Sequence, residues 1–573
     1  MIEGFSELKK NLKKDFSGFP EIRTAVLADS ASQLFCQALK GYGYTQQLNI
    51  HTWEADYDRI YESIMDDDSG LYSFTPDVIL IFHSSRKLLS RFNKTELSSK
   101  MRFAESHLDQ LRGLIEKINS KIKCNIIYLN FVEINDQVFG NFANKTPNSF
   151  IYQLRKINFE LMQLSVQTTN LNIADLSTIQ NQYGAARINN DRLYINTDNV
   201  FHIDALGHVA KLITDIILAF SGRFKKCLVL DLDNTLWGGI IGDDGIENIQ
   251  IGDLGIGKAF TEFQRWIKQL LERGIILAVC SKNTEHIAKE PFEKHPDMVL
   301  KLEDIAVFVA NWENKVNNIR QIQSILNIGF DSMVFLDDNP AEREIIRMNI
   351  HEICVPELPE DPADYLSFLY NQQLFETVSF TEEDKLRTKQ YQEEAKRNIM
   401  QASYVNEDEF LKSLEMQAVI KPIDSFTLPR AAQLSQRSNQ FNLRTVRYTD
   451  EDIKTIIADP SKYTLTVSLK DKFGDYGLIS LLIAEKRTAE KLFIDTWIMS
   501  CRVLKRGVEN LVLNELAVLA LANGFSSIIG EYLPTPKNGL VKDHYEKLDF
   551  VQQGSQWELD LNAYNTKINF IDK

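Results

Sequence analysis

The segment Lys226-Cys-Leu-Val-Leu-Asp231-Leu-Asp233-Asn234-Thr235-Leu236-Trp237-Gly238-Gly239 passes from an unbroken apolar run straight into two carboxylates and a glycine turn. Apolar residues without alternation suit a central parallel strand, which is covered on both faces. The acids then fall at the strand's C-terminal edge, where parallel sheets open their ligand-binding crevices. Residues two apart on a strand point the same way, but the chain turns here, so the two carboxylates can reach one ligand from different directions. Crowded acids repel unless a cation holds them. A hard ion such as Mg2+ accepts carboxylate and water oxygens and offsets the charge of an arriving phosphate.

The same alternation of apolar strands and helically spaced segments extends along the chain. At 573 residues the chain exceeds one hydrophobic core, and about 150 residues per domain suggests roughly three to four domains. Thr24–Ala28, Val78–Phe82 and Asn125–Leu129 read as strands of a first α/β domain, residues 1–222. Its last helix begins near Asp204, whose carboxylate is a candidate cap. A second α/β domain, residues 223–360, alternates the strand at Cys227–Leu230 with further strands at Ile275–Cys280, Val307–Ala310 and Ser332–Leu336, and its sheet is expected to end with Glu352–Val355. Residues 361–418 read as a helical linker, with a charged helix over Thr381–Asn398 that offers Leu386 and Tyr391 for packing. Residues 419–573 carry antiparallel strand signals at Tyr463–Leu469, Gly477–Glu485 and Lys491–Met499, then a helix over Val508–Ala522 and a strand at Ser526–Gly530. That pattern predicts a mixed α+β layer.

An isolated Asp-x-Asp pair is usually a loop cap, but here later polar residues recur at the same sheet edge. Ser281 follows the second strand of the central domain, Lys315 opens the helix after the third, and Asp337 and Asp338 follow the fourth. Phosphoryl transfer needs a nucleophile, a proton for the leaving group and compensation of phosphate charge. Asp231 is the candidate nucleophile and Asp233 the acid/base, with Thr235 holding the turn and accepting substrate hydrogen bonds. Ser281 can bind a phosphoryl oxygen, Lys315 can balance charge, and Asp337 or Asp338 can complete the oxygen shell of the cation. Trp237 and the glycines from Gly238 to Gly257 read either as a mobile flap or as a passive connector. Cys280, beside Ser281, is either an acyl acceptor or a core residue, since neighbours on a strand face opposite sides.

This constellation resembles the haloacid dehalogenase-like (HAD) superfamily, and the strings Asp231–Gly239, Val279–Asn283, Asn311–Lys315 and Phe335–Pro340 resemble its subfamily IIIC, the FkbH-like proteins. Gln436–Leu443 also resembles a segment of those proteins. The resemblance implies a Rossmann-like central domain acting through an aspartyl-phosphate on Asp231 with Mg2+. The ion would be held by Asp231, the backbone carbonyl of Asp233, Asp337 and, in support, Asp338. It also raises transfer of a glyceryl or other acyl unit onto an acyl-carrier protein.

Residues 20–220 resemble an SGNH hydrolase through Ala28-Asp-Ser30 and His202, although Ala28 replaces the usual Gly and Asn199 stands where the orienting Asp would be. The alternatives for Ser30 and His202 are ester hydrolysis and a degenerate binding scaffold. Residues 420–565 resemble a GNAT-like acyltransferase, with Arg502 and Arg506 in a basic turn that can face pyrophosphate. Acetyl transfer, recognition of a pantetheine-bearing substrate and a structural role remain open there.

The net charge of −15 disfavours nucleic acid, whose interfaces concentrate Lys and Arg. The six cysteines are scattered without metal-ligand spacing, and neither a secretory leader nor an apolar run of membrane-spanning length is present, so a cytoplasmic setting without a membrane partner is expected. The leading expectation is a phosphatase or phosphotransferase acting on a small phosphorylated metabolite. The runners-up are a carrier-linked transferase and a nonenzymatic assembly platform.

Overall fold

The structure, a computed structural model, describes residues 3–380, 391, 393, 404, 406–438, 440–500 and 503–573. The chain divides into two compact units, Met1–Leu218 and Ala219–Lys573. Most of the expected helix Thr381–Asn398, including Leu386, lies outside the described residues. Tyr391, which is described, is buried with Ile319, Phe335 and Ile346.

The first unit is built on a parallel sheet of order β2-β1-β3-β4-β5. Its strands are β1 (Glu21–Ala28), β2 (Asn49–Glu54), β3 (Val78–Phe82), β4 (Asn125–Leu129) and β5 (Leu171–Ala174). The edge strands β2 and β5 carry polar residues and are only partly buried, so they lack the apolar run that marks β3 and β4. Asp204 does not cap the last helix. A short turn, Ile203–Ala205, precedes the helix Leu206–Phe220, and the His202 ring accepts the Asp204 amide instead.

The second unit contains two sheets among the described residues. The first has parallel order β8-β7-β6-β9, made of β6 (Cys227–Leu230), β7 (Ile276–Ser281), β8 (Ile305–Ala310) and β9 (Met333–Leu336). Leu228, Leu230, Leu277 and Val279 pack on one face, and Cys227, Val229, Ile276 and Cys280 on the other. Burial on both sides explains the missing alternation. The expected fifth strand at Glu352–Val355 reduces to a single bridge between Val334 and Cys354, because the chain bends away through Pro356. Between β6 and β9 the chain reverses its direction of winding, which makes the gap between their C-terminal ends the switch-point crevice.

The other sheet is mixed, with order β15-β16-β14-β13-β12-β11-β10-β17. It comprises β10 (Met416–Lys421), β11 (Lys462–Asp471), β12 (Gly474–Lys486), β13 (Lys491–Met499), β14 (Ser527–Glu531), β15 (Val551–Gln553), β16 (Gln556–Asp560) and β17 (Ile571–Asp572). The parallel strands β13 and β14 pair only over Lys491–Phe493. Beyond that point Phe441–Arg444 enters between them: the Phe441 carbonyl accepts Met499 N, the Leu443 carbonyl accepts Leu533 N, and Arg444 pairs with both Asp495 and Glu531. The Gln436–Leu443 string thus ends as a wedge in the sheet. Among the described residues no helix is long and apolar enough to cross a membrane.

In the first unit the Tyr128 hydroxyl lies between His83 Nδ1 at 3.0 Å and His107 Nε2 at 3.2 Å. Burial, reinforced by Arg91, pushes His83 down to about 3, and His107 also lies well below its usual range. An unfolded histidine takes up its proton near about pH 6.5, so the unfolded state binds more protons below that pH and stability is lost as pH falls towards the folded value. His83→Gln should therefore lose less unfolding free energy than the native chain between about pH 7 and about pH 5 in denaturant titrations. Parallel losses in both proteins would show that His83 is not the group responsible.

Candidate active site

Asp231 follows β6 and donates its amide to the Leu336 carbonyl at 3.0 Å, which carries the β6–β9 ladder to the sheet edge. Asp231 and Asp337 therefore leave adjacent strands side by side. Asp231, Asp337 and Asp338 each present one oxygen within 4.8 Å of the others. Lys315 reaches into this cluster, with Nζ at 2.9 Å from Asp231 Oδ1 and 2.6 Å from Asp337 Oδ2.

Lys315 is the first residue of the helix Lys315–Leu326, which Asn314 caps by accepting Asn317 N. A cation at a helix N-terminus opposes the helix dipole, and this one is 4% exposed. Its position is sustained by the two carboxylates. Burial alone would discharge it, but Asp231 and Asp337 outweigh that and push its affinity for a proton up. Burial raises Asp337 to about 6, with repulsion from Asp231 acting in the same direction and Lys315 against it. Asp338 is raised for the same two reasons. One ammonium faces three carboxylates, leaving a negative excess in a partly dry crevice. An all-oxygen donor set of this kind fits a hard divalent cation.

The loops are fixed from behind. Thr235, fully buried, accepts Asp338 N at 3.1 Å and so ties the β6 turn to the β9 turn; its expected contact with substrate gives way to this clamp. Arg343 donates to the carbonyls of Asp337 and Asp338 at 2.8 and 2.7 Å. Asn339 caps the helix Pro340–Asn349, and its amide donates to Asp337 Oδ1 at 2.9 Å. The Asp233 carboxylate stands apart from the three-acid cluster and accepts Trp237 Nε1, Ile241 N and Asn283 Nδ2. Burial raises its proton affinity, while the Ile241 and Trp237 donors lower it.

Ser281 ends β7 and is buried at the same edge. Cys280 points to the opposite face, among Ile319 and Phe335, and burial pushes its thiol far up, so it belongs to the core. The glycine segment is a braced turn: Gly238 and Gln250 exchange backbone hydrogen bonds, and Gly239 N donates to Asn234 Oδ1. Gly239 has φ +92°, and an added Cβ would meet Asp244 Oδ2 at 2.6 Å.

The outer candidate sites look different. Ser30 Oγ is buried without a partner, while His202 Nδ1 accepts Asp204 N at 3.1 Å, and no hydrogen bond among the described residues joins Ser30 to His202. The neighbouring Asp29 accepts Ser84 N with both oxygens, and burial raises it to about 7. Arg506 turns inward onto Tyr476 and Asp471, so its guanidinium is not presented to a pyrophosphate. Arg502 lies outside the described residues.

The sequence pattern gives Asn283 and Arg343 no role and places Trp237 only at the start of the candidate flap. Asn283 lies two residues past Ser281, which was the available signal, whereas Arg343 reaches its partners only by folding back from within a helix.

A search of curated proteins finds no match. The family model described as FkbH, N-terminal domain, matches residues 23–218. The crystal structure of the N-terminal part of the protein BF1531 from Bacteroides fragilis, containing a phosphatase domain complexed with Mg, is 51% identical, covers 66% of this chain and 100% of that chain, and has a TM-score of 0.64. The ribosomal-protein-S18-alanine N-acetyltransferase from Escherichia coli is similar at 13% identity over 27% of this chain and 100% of that chain, with a TM-score of 0.21.

Lys315→Met removes the cation from a buried set of acids, a change that costs about 3–5 kcal/mol when one partner of a buried pair is lost. Denaturant titration in a chelator should show that loss, and excess Mg2+ should recover part of it. A variant as stable as the native chain would mean that the lysine is not what balances the cluster.

Proposed function

The chain belongs to the FkbH-like group of the haloacid dehalogenase-like superfamily, and we propose that it is a Mg2+-dependent phosphatase or phosphotransferase that works through a phosphorylated Asp231. The observation that carries this reading is the Lys315 ammonium held between Asp231 and Asp337 at a switch-point crevice, with Asp338 alongside. The Mg2+ recorded in the Bacteroides fragilis phosphatase-domain structure supports that choice of ion. Asp231, Asp337 and Asp338 would hold it, with the Asp233 carbonyl. When bound, the ion supplies positive charge that offsets the phosphate.

Asp231 attacks phosphorus and forms a mixed anhydride. Lys315, with Nζ 2.9 Å from the attacking carboxylate, offsets charge on the phosphoryl oxygens. Ser281, at the end of β7, offers a hydroxyl to one of those oxygens. Asp233 protonates the leaving oxygen, then takes a proton from the water that cleaves the anhydride. The substrate is a small phosphomonoester in this reading.

A second reading is transfer of an acyl or glyceryl unit to a carrier protein at the same site. Trp312 favours it: this indole follows β8, lies three residues before Lys315 and is 75% exposed, so it can lie against an extended arm such as pantetheine. The two readings separate when the full chain is incubated with phosphorylated metabolites, with and without carrier proteins, while free phosphate and intact carrier mass are followed together. Phosphate without a mass gain supports the first, and a mass gain the second.

Asp231→Asn should reduce phosphate release at least about 10³-fold while the chain remains folded, since an attacking group has been removed. Release that persists in Asp231→Asn would remove Asp231 from the mechanism, and release that persists in a chelator would remove the ion.

A further inference from the structure

Asp233 is held by three donors. Its Oδ1 accepts Trp237 Nε1 at 3.0 Å and Ile241 N at 2.9 Å, and its Oδ2 accepts Asn283 Nδ2 at 2.9 Å. A carboxylate offers about four lone-pair positions, two on each oxygen. Both positions on Oδ1 are filled, whereas Oδ2 has one more acceptor position than the structure assigns to it.

The donors are themselves locked. Asn283 is buried, and its Oδ1 accepts Thr284 N at 2.9 Å, which leaves Nδ2 as the end of the amide that faces Asp233. Trp237 is fully buried and packs edge-on against Phe292, with ring centroids 5.9 Å apart. Two donors come from the turn after β6 and the third from the loop after β7. The carboxylate is thus gripped from two elements and cannot rotate without breaking hydrogen bonds to both.

We propose that Asn283 and Trp237 are positioning residues that dedicate Asp233 Oδ2 to proton transfer with the leaving oxygen and then with water. This rests on the phosphatase reading. In the first half-reaction an Asp231 oxygen bonds to phosphorus, the bond from phosphorus to the ester oxygen breaks, and the proton on Oδ2 moves to that oxygen. The alcohol departs and Asp233 is left as a carboxylate. In the second, water bonds to phosphorus, its proton passes to Oδ2, and the Asp231–phosphorus bond breaks to release phosphate. Trp237 and Ile241 remain on Oδ1 throughout, and Asn283 remains on the second lone pair of Oδ2.

The leaving group provides the test, because an alkoxide must be protonated as it departs whereas para-nitrophenolate need not be. The full chain with Mg2+ is assayed on para-nitrophenyl phosphate and on an alkyl phosphate. Asn283→Ala should lower kcat on the alkyl ester roughly 10²-fold, the size of a general-acid contribution, and on the nitrophenyl ester by less than about 5-fold, with KM little changed. Trp237→Phe, which keeps an aromatic ring in the core, should show the same preference. Equal losses on both esters, or no loss, in variants with native melting temperatures would overturn the proposal.

A measurement independent of turnover follows the indole N–H proton resonance of Trp237, assigned by its disappearance in Trp237→Phe. It should shift in Asp233→Asn and in Asn283→Ala, and an unmoved resonance in both would also overturn the proposal. If the native chain releases no phosphate from either ester, the phosphatase reading fails, while the resonance still reports whether Asp233 is gripped as described.

Discussion

A lysine ammonium buried between two aspartates holds the second unit's site together. Asp231 and Asp337 leave neighbouring strands at the point where the sheet reverses its winding, and without a cation their repulsion would splay the two loops. The lysine arrives from a third element, the helix after β8, against the local helix dipole. Three segments far apart in sequence therefore share one electrostatic constraint. The same constraint shapes the site's electrostatics: Lys315 sets one positive charge against Asp231 and Asp337, while burial makes Asp337 and Asp338 reluctant to carry charge without further cationic help.

Around that ion pair the backbone does much of the positioning. Thr235 joins the β6 and β9 turns, Arg343 gathers two carbonyls, and Gly239 adopts a left-handed conformation that lets its amide meet Asn234. These contacts spend polar groups on geometry, which leaves the carboxylates to the ligand. The turn after β6 is consequently a brace for Asp233, and Gly238 and Gly239 in it lie so close to Gln250 and Asp244 that a Cβ would meet their side-chain oxygens at 2.7 and 2.6 Å.

A residue type at a suggestive place is not yet a site. Ser30 follows a buried strand, and His202 precedes the last helix of the first unit, but the serine hydroxyl is buried and the imidazole is committed to a turn amide. Arg506 stands in a basic glycine turn, but its guanidinium neutralises the buried Asp471. His202 and Arg506 each satisfy a partner inside the fold, and such partners are what a linear pattern does not display.

Local pattern determined a good deal. The central strands were legible because burial on both faces leaves an apolar run, and the polar residues ending them marked one sheet edge, so Asp231, Asp337, Asp338 and Lys315 could be grouped before any coordinates. The edge strands β2 and β5 were not legible, since half-exposed backbone pairing tolerates polar residues, and Glu352–Val355 resembled a strand but found only one bridge. What tertiary structure alone decided was the division of labour: Thr235 as a clamp, Cys280 as core, and Asn283 and Trp237 as the grip on Asp233. A carboxylate's role depends on which donors and charges stand within about 3 Å of each oxygen, and those distances join residues whose separation along the chain carries no such information.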